Sequence, residues 1–448
     1  MITQTLRFTA IYLGPALVLT TAAMRWCSPG LPAVAGYVLA AIVGTGWLFT
    51  GLWRTLQSHG DPPLPAPGGG PDGAGPWPLA LGLAAFTAAL AYGTGASFED
   101  FRSYQKHWQL VVDGVNPWST SLAGQGDLNA YGPAHLLLAG PYLIDSLLPK
   151  VIFALVLVAV AWACSFSPTG RKDPTSMPQR SVLFTFTVLS PYALITVCDY
   201  AFNDILPASL MAGALLVAIR FRSSLWRLLA GAMLAIGCMV KIYPVIVLPF
   251  LALRDRRIDW ALLQGFIGTL FIGFGAAYLR WGAAIWTPFQ FAAERNSKQL
   301  SIFNFLRVIG FNIDHLSLYA MALGLLAWLA YCVARRVDTL NTTVVGFAIV
   351  LSLFKVGHQQ FFLFFFLIAP FAIRTWYGQF EQALAGRLVG LYLLWLAYLC
   401  WFQLVYALSC GMWQLPSIVF RWGGGLIYFL LTLGCGLLAS RWNRRSPC

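Results

Sequence analysis

An all-α fold that crosses a membrane many times is predicted by three observations. Hydrophobic residues make up 58% of the 448 and charged residues only 10%, with a mean hydropathy of +0.70, which is more apolar surface than one water-soluble core can hide. The apolar residues gather in runs that suit a bilayer of about 30 Å, which takes about 17–25 helical residues to cross. Lys and Arg fall in short clusters between those runs, the pattern of cytoplasmic loops. The net charge of +13 is therefore read as membrane topology and not as a nucleic-acid surface. The nine cysteines are scattered singly, mostly inside apolar runs and without a CxxC pair, so they read as small buried residues, not as a disulfide frame or metal site.

Apolar runs near 8–24, 33–53, 79–95, 149–166, 181–198, 205–219, 259–280, 317–334, 340–355, 360–374, 388–409 and 422–440 predict about twelve transmembrane helices. The first run could mimic a signal peptide, but Arg25 and Pro29 interrupt it and a second run follows at once, so a membrane helix is expected. The clusters Arg171-Lys172, Arg220/Arg222/Arg227, Arg254/Arg256/Arg257, Arg335-Arg336 and Arg441/Arg444/Arg445 all belong on the cytoplasmic side. The stretch 228–253 lies between two of them, and a single crossing would put one on the wrong face. It is read as two short re-entrant helices turning at Lys241-Ile242-Tyr243-Pro244, where proline cannot continue a helix. Residues 54–78 are rich in Pro and Gly and cannot pack a core, so they are expected to link two additional N-terminal helices (1–53) to a body over 79–448. With this orientation the outer face collects 96–148, 199–204, 281–316 and the turn from Lys355 to Gln360.

Candidate chemistry lies in those outer connections. Glu99-Asp100 opens the first of them in a chain with only sixteen carboxylates. The stretch 105–115 that follows is amphipathic, with Trp108, Val111 and Val112 available to lie on the membrane interface. Two readings of the acid pair stand at even weight: a base that takes a proton from an alcohol, or solvated residues capping that helix. His107, Tyr104 and Asn116 share the loop. Asp199 and Asp204, within six residues between apolar runs, suggest a polar cavity, with Asp204 expected to cap the helix that follows. Lys355, His358, Gln359 and Gln360 offer donors to a phosphate, and the run Phe361–Phe366 a wall for lipid chains; the bland alternative is a snorkelling lysine beside a satisfied histidine. Arg295, in the stretch Glu294–Gln299, places basic charge where the topology does not call for it, which hints at an anion. A Walker loop, an HExxH pair, a GxSxG elbow and clustered Cys/His ligands are all missing, which argues against nucleotide and zinc hydrolysis.

The order of these elements resembles the GT-C superfamily of membrane glycosyltransferases. The resemblance rests on Asp100-Phe101 with Tyr104, Gly114 to Trp118, Tyr131-Gly132-Pro133, Lys241 to Pro244, and His358-Gln359-Gln360 before an aromatic helix, and it covers about residues 79–440. It is closest to glycosyltransferase family 87, the polyprenol-phosphate-mannose-dependent α-mannosyltransferases. The resemblance implies an inverting transfer of a sugar, mannose first, from a polyprenyl-phosphate donor to a lipid-linked or cell-envelope glycan acceptor on the non-cytoplasmic face. It implies Asp100 as general base, with Glu99 the alternative, and Lys241 and His358 on the donor phosphate. Tyr104, His107, Asn116, Tyr243, Arg295, Lys355 and Gln359 would be further substrate contacts. No cofactor or metal is expected beyond the lipid-linked co-substrate, and the protein is expected to act as a monomer in a bacterial plasma membrane. A transporter or lipid flippase is the alternative, since Lys241 and Lys355 could line a pathway; a purely structural membrane protein is the third reading.

Overall fold

A computed structural model of the chain describes residues 2–25, 31–57, 76–119, 129–169, 173, 175–254, 257–294, 296–408 and 425–434. The first helices are α1 (Ile2–Phe8), which runs through a π-turn at Thr9–Leu13 into α2 (Gly14–Arg25), then α3 (Leu31–Gln57) and α4 (Trp77–Gly93). The connection after α4 folds into α5 (Glu99–Val112), a 3₁₀ turn at Pro133–Leu138 and α6 (Ala139–Ile144). Next come α7 (Leu148–Phe166), α8 (Met177–Leu189), α9 (Pro191–Ala193), α10 (Ile205–Arg220), α11 (Ser224–Val240) and α12 (Leu248–Ala252). A two-residue hairpin of β1 (Leu253–Arg254) and β2 (Arg257–Ile258) leads to α13 (Trp260–Trp281), α14 (Thr287–Glu294), β3 (Lys298–Gln299) and α15 (Ile302–Val308). The last described elements are α16 (Ser317–Arg335), α17 (Thr339–Leu353), β4 (Val356–Gly357), α18 (Leu363–Gln379), α19 (Gln382–Leu408) and a helix over Gly425–Gly434.

Six of these helical stretches are long and apolar enough to cross a membrane: Leu148–Phe166, Met177–Asp199, Trp260–Ala292, Asp314–Arg335, Gln359–Gln379 and Gln382–Ala407. Shorter apolar helices such as α4, α10, α11 and α17 pack among them. The protein is an all-α polytopic membrane protein, as the hydropathy pattern predicts. The helices from α8 through the π-turn that follows, and α18, are enclosed by other helices, whereas α13 and α16 turn most of their surface outward.

The run Phe361–Phe366 does not form the expected wall for lipid. Phe362, Phe364, Phe365 and Phe366 are fully buried in the core, where Phe366 stacks on Tyr192 at 4.2 Å and Phe365 meets Trp395 edge-on at 4.4 Å. A run that is apolar on every side of its helix belongs inside the bundle, not on one face of it. The Pro/Gly-rich linker expected over 54–78 falls largely outside the described residues.

The break expected near Lys241 is present. The helix α11 ends at Lys241, whose backbone is extended, and the chain resumes as a 3₁₀ turn over Tyr243–Val247 before α12. Bare backbone lets α11 and α13 touch: a Cβ on Gly231 would stand 2.0 Å from Leu262 O, and one on Gly265 2.0 Å from Leu228 O. At the opposite end of the bundle the buried Arg374 of α18 pairs with Asp173 and donates to the carbonyls of Cys164 (3.3 Å), Ser165 and Ser167 (2.9 Å), tying α18 to the end of α7. With every acceptor charged or a carbonyl, a fully desolvated guanidinium is held in place.

Candidate active site

The exit from α4 sets the position of the acid pair. Gly95 takes a left-handed backbone (φ +60°), turning the chain so that Phe98 precedes α5 in extended conformation. Glu99 and Asp100 then occupy the first helical turn, where the exposed N–H groups and the helix dipole favour negative charge. Glu99 is exposed and Asp100 half-buried, and the Asp100 carboxylate bears electrostatically on the phenols of Tyr104 and Tyr406.

The turn is locked from beneath by a residue that the sequence reading passed over. Lys150, fully buried at the start of α7, donates to Thr94 Oγ1 (2.7 Å), Gly95 O (2.7 Å) and Asp199 O (2.8 Å). Three donors meeting three acceptors leave this ammonium satisfied in tetrahedral fashion. Ser97 Oγ donates to Asp199 Oδ1 at 3.0 Å, and Phe98 stacks on Tyr200 at 3.9 Å, so the 199–204 turn and the start of α5 form one unit. A lysine just inside an apolar run was the available signal.

The inner face of α5 carries Phe101, Tyr104, His107 and Trp108, all buried. Trp108 is thus not at the membrane interface as expected: its ring lies in the core and its Nε1 donates to His135 O at 3.1 Å. An indole that finds a carbonyl partner inside loses little by leaving the interface. Tyr104 donates to Asn203 Oδ1 (3.4 Å) and receives a bond from Tyr131 Oη (3.4 Å). Asn203 Nδ2 in turn meets His135 Nδ1 at 3.1 Å. Burial pushes the Tyr104 phenol well above its ordinary range, with Tyr131, Asp100 and Asp204 adding to the effect. Burial likewise pushes the His135 imidazole down, helped by His107 and Lys241, so both rings are neutral.

Lys241 stands at the centre of the cluster. Its Nζ pairs with Asp204 Oδ2 at 2.5 Å and lies 5.1 Å from the Tyr131 ring centroid and 5.9 Å from that of Phe361. The expected cap at Asp204 is corrected: the residue stands at the N-cap position of α10, but its side chain makes no capping bond and one of its oxygens pairs with Lys241. Tyr131-Gly132-Pro133 is drawn close by a bond from Gly132 N to Val240 O (3.1 Å). A Cβ on Gly132 would stand 2.4 Å from Met239 O, which accounts for glycine before Pro133. Gly132→Ala is expected to cost about 1–3 kcal/mol through overpacking against backbone, read as a lowered thermal midpoint in detergent.

The turn between α17 and α18 closes the site. Its strand β4 pairs in parallel with β3, and Leu300 N donates to Gly357 O at 3.0 Å, so the 281–316 connection and the Lys355–Gln360 turn meet. His358 and Lys355 are half-buried, and the His358 ring meets Phe361 edge-on at 5.7 Å, which links this turn to Lys241. Tyr243, buried, also packs on Phe361, at 4.9 Å. The carbonyl of the buried Gln359 accepts from Tyr192 Oη, and its side chain bonds the Tyr406 phenol.

Of the remaining expected contacts, Asn116 is half-buried in the loop after α5. Asn116 accepts from Trp118 N (3.0 Å) and donates to Trp281 O (3.4 Å), tying the loop to the end of α13. Arg295 lies outside the described residues. His107 is buried beside Tyr131, with ring centroids 6.4 Å apart. Among the described residues no group of three His, Cys, Asp or Glu is arranged to hold a metal ion.

The loops of this bundle of apolar helices thus gather a carboxylate, an ammonium and an imidazole around aromatic rings. Residues 129–355 match the sequence profile of glycosyltransferase family 87, about half of the chain. The chain belongs to that family and is a membrane glycosyltransferase. The matched stretch holds Tyr131, His135, Asp204, Lys241, Tyr243 and Lys355, whereas Asp100, Tyr104, His107, Asn116, His358 and Gln359 lie outside it. Comparison with curated proteins gives no match.

Proposed function

We propose that the protein transfers a sugar, mannose in the first instance, from a polyprenyl-phosphate donor to a hydroxyl of a lipid-linked or cell-envelope glycan. Asp100 takes the proton of the acceptor hydroxyl as its oxygen attacks the anomeric carbon. The bond from that carbon to the phosphate oxygen breaks on the opposite side, so configuration inverts and polyprenyl phosphate leaves. Lys241 and His358 face the charge that develops on the phosphate. Side chains supply the cationic charge in this reading, which makes the reaction metal-independent. A single chain would suffice.

The observation that carries the proposal is the convergence of three distant segments, the Asp100 helix, the Lys241 break and the His358 turn, on the rings of Tyr131 and Phe361. The basic residues Arg220, Arg222, Arg335 and Arg336 terminate or follow helices at the ends away from these segments. That supports a site on the non-cytoplasmic face of a plasma membrane, a bacterial one by preference. The two N-terminal helices, which pack along α19, would be an addition to the catalytic body over 79–448.

The test is transfer of radiolabelled sugar by purified protein in proteoliposomes, with polyprenyl-phosphate-mannose as donor and membrane glycolipids as acceptors. Labelled glycolipid is expected. Folded protein that transfers neither mannose nor, in parallel, glucose or arabinose, yet moves lipid or solute across the vesicle, would overturn the proposal.

A further inference from the structure

One N–H of Lys241 goes to Asp204 Oδ2, and the other oxygen of that carboxylate, Oδ1, is fully buried with no hydrogen-bond partner among the described residues. Two further polar atoms share this condition: the phenol oxygen of Tyr243, 5% exposed, and Nε2 of His135, 0% exposed. They belong to one neighbourhood. Lys241 Nζ lies 5.1 Å from the centroid of the Tyr131 ring, which is 4.8 Å from the His135 ring, and 5.9 Å from that of Phe361, on which Tyr243 packs at 4.9 Å. The Gly132–Val240 bond holds residues 131–135 against the start of the Lys241 turn.

Folded proteins leave few buried polar atoms unpaired, because each loses its water and gains nothing in return. Three around one ion pair therefore point to a ligand. The donor and acceptor pattern says which kind. Asn203 Nδ2 donates to His135 Nδ1, so the imidazole proton sits on Nε2 and is a donor. Asp204 Oδ1 is an acceptor and the Tyr243 hydroxyl is both. Phosphate oxygens only accept and would be repelled by the carboxylate, whereas a hydroxyl group can give its proton to Asp204 and accept from His135 or Tyr243.

We infer that Asp204 Oδ1, Tyr243 and His135 form a hydroxyl-recognising subsite for the donor sugar, beside the phosphate held by Lys241. The inference rests on the glycosyl-phosphate donor proposed above and names the part of that donor which is read: a free ring hydroxyl close to the phosphoester. A site built to pair a substrate hydroxyl rejects the analogue lacking it far more strongly than an apolar pocket rejects a missing methylene.

The experiment compares the natural donor with a set of monodeoxy donors on the same prenyl chain, using wild type, Tyr243→Phe and Asp204→Asn. In wild type, removal of one particular hydroxyl is expected to lower kcat/KM by about 10²-fold or more, and in each variant that ratio is expected to shrink at least about ten-fold. Tyr243→Phe removes an unpaired buried hydroxyl, so its thermal midpoint should equal or exceed that of wild type. Variants that discriminate between natural and deoxy donors as wild type does would overturn the subsite while leaving the transferase reading intact. A marked fall in the Tyr243→Phe midpoint would also overturn it, since the hydroxyl would then serve the fold. Failure of wild type to transfer any sugar would sink the proposed function itself and the subsite with it.

Discussion

Asp100→Asn is expected to lower sugar transfer by about 10²–10⁴-fold, the usual contribution of a positioned general base. Asparagine keeps the shape of the side chain and cannot accept the acceptor's proton. The helix should survive the change. Its start is fixed by Lys150, Ser97 and the Phe98–Tyr200 stack, none of which involves the Asp100 carboxylate. Loss of the charge from the helix N-terminus alone costs about 0.3–1 kcal/mol. Glu99→Gln is the control: Glu99 is exposed and should leave transfer near wild type. The measurement is initial rate in proteoliposomes alongside a thermal midpoint for each variant. Loss on Glu99→Gln with Asp100→Asn active would reassign the base, and full activity in both would remove a carboxylate base from the mechanism.

Lys241→Met should have the largest effect on stability. It leaves the Asp204 carboxylate desolvated without its partner, and breaking a buried pair in this way costs about 3–5 kcal/mol. Burial already raises the Asp204 carboxyl above its ordinary range, the Lys241 ammonium opposing it, so the lone carboxylate would be driven towards its protonated form. The double variant Lys241→Met/Asp204→Asn removes both charges and should recover most of the thermal midpoint. It should not recover transfer, because no ammonium then faces the donor phosphate. Recovery of both would make the pair a purely structural device.

Much of this arrangement was legible in the sequence because local chemistry demanded it. Pro244 beside two basic clusters left a break at Lys241 as the one topology consistent with charge, and the break is where the lysine becomes available to the site. The period of α5 shows an apolar and a polar face, but not which neighbour covers the apolar one, so the sequence points Trp108 to the membrane interface where the fold gives it His135. Asp204 stands at the N-cap position that the rule for helix caps predicts, but its side chain pairs with a lysine 37 residues away that no local rule brings near. Lys150 was the least legible of all. Its three acceptors come from residues 94, 95 and 199, and only the assembled bundle brings those segments to one point.

The short parallel ladder between β3 and β4 has a mechanical consequence. It fastens the chain leaving α14 to the turn that carries His358, and the packing there is too close to let one slide past the other: a Cβ on Gly357 would stand 2.5 Å from Ser301 N. The two segments therefore travel as a single rigid flap or do not travel at all. The lipid-linked donor proposed above would therefore have to enter past that pairing as a whole or along the opposite wall, at the α5 segment pinned by Lys150.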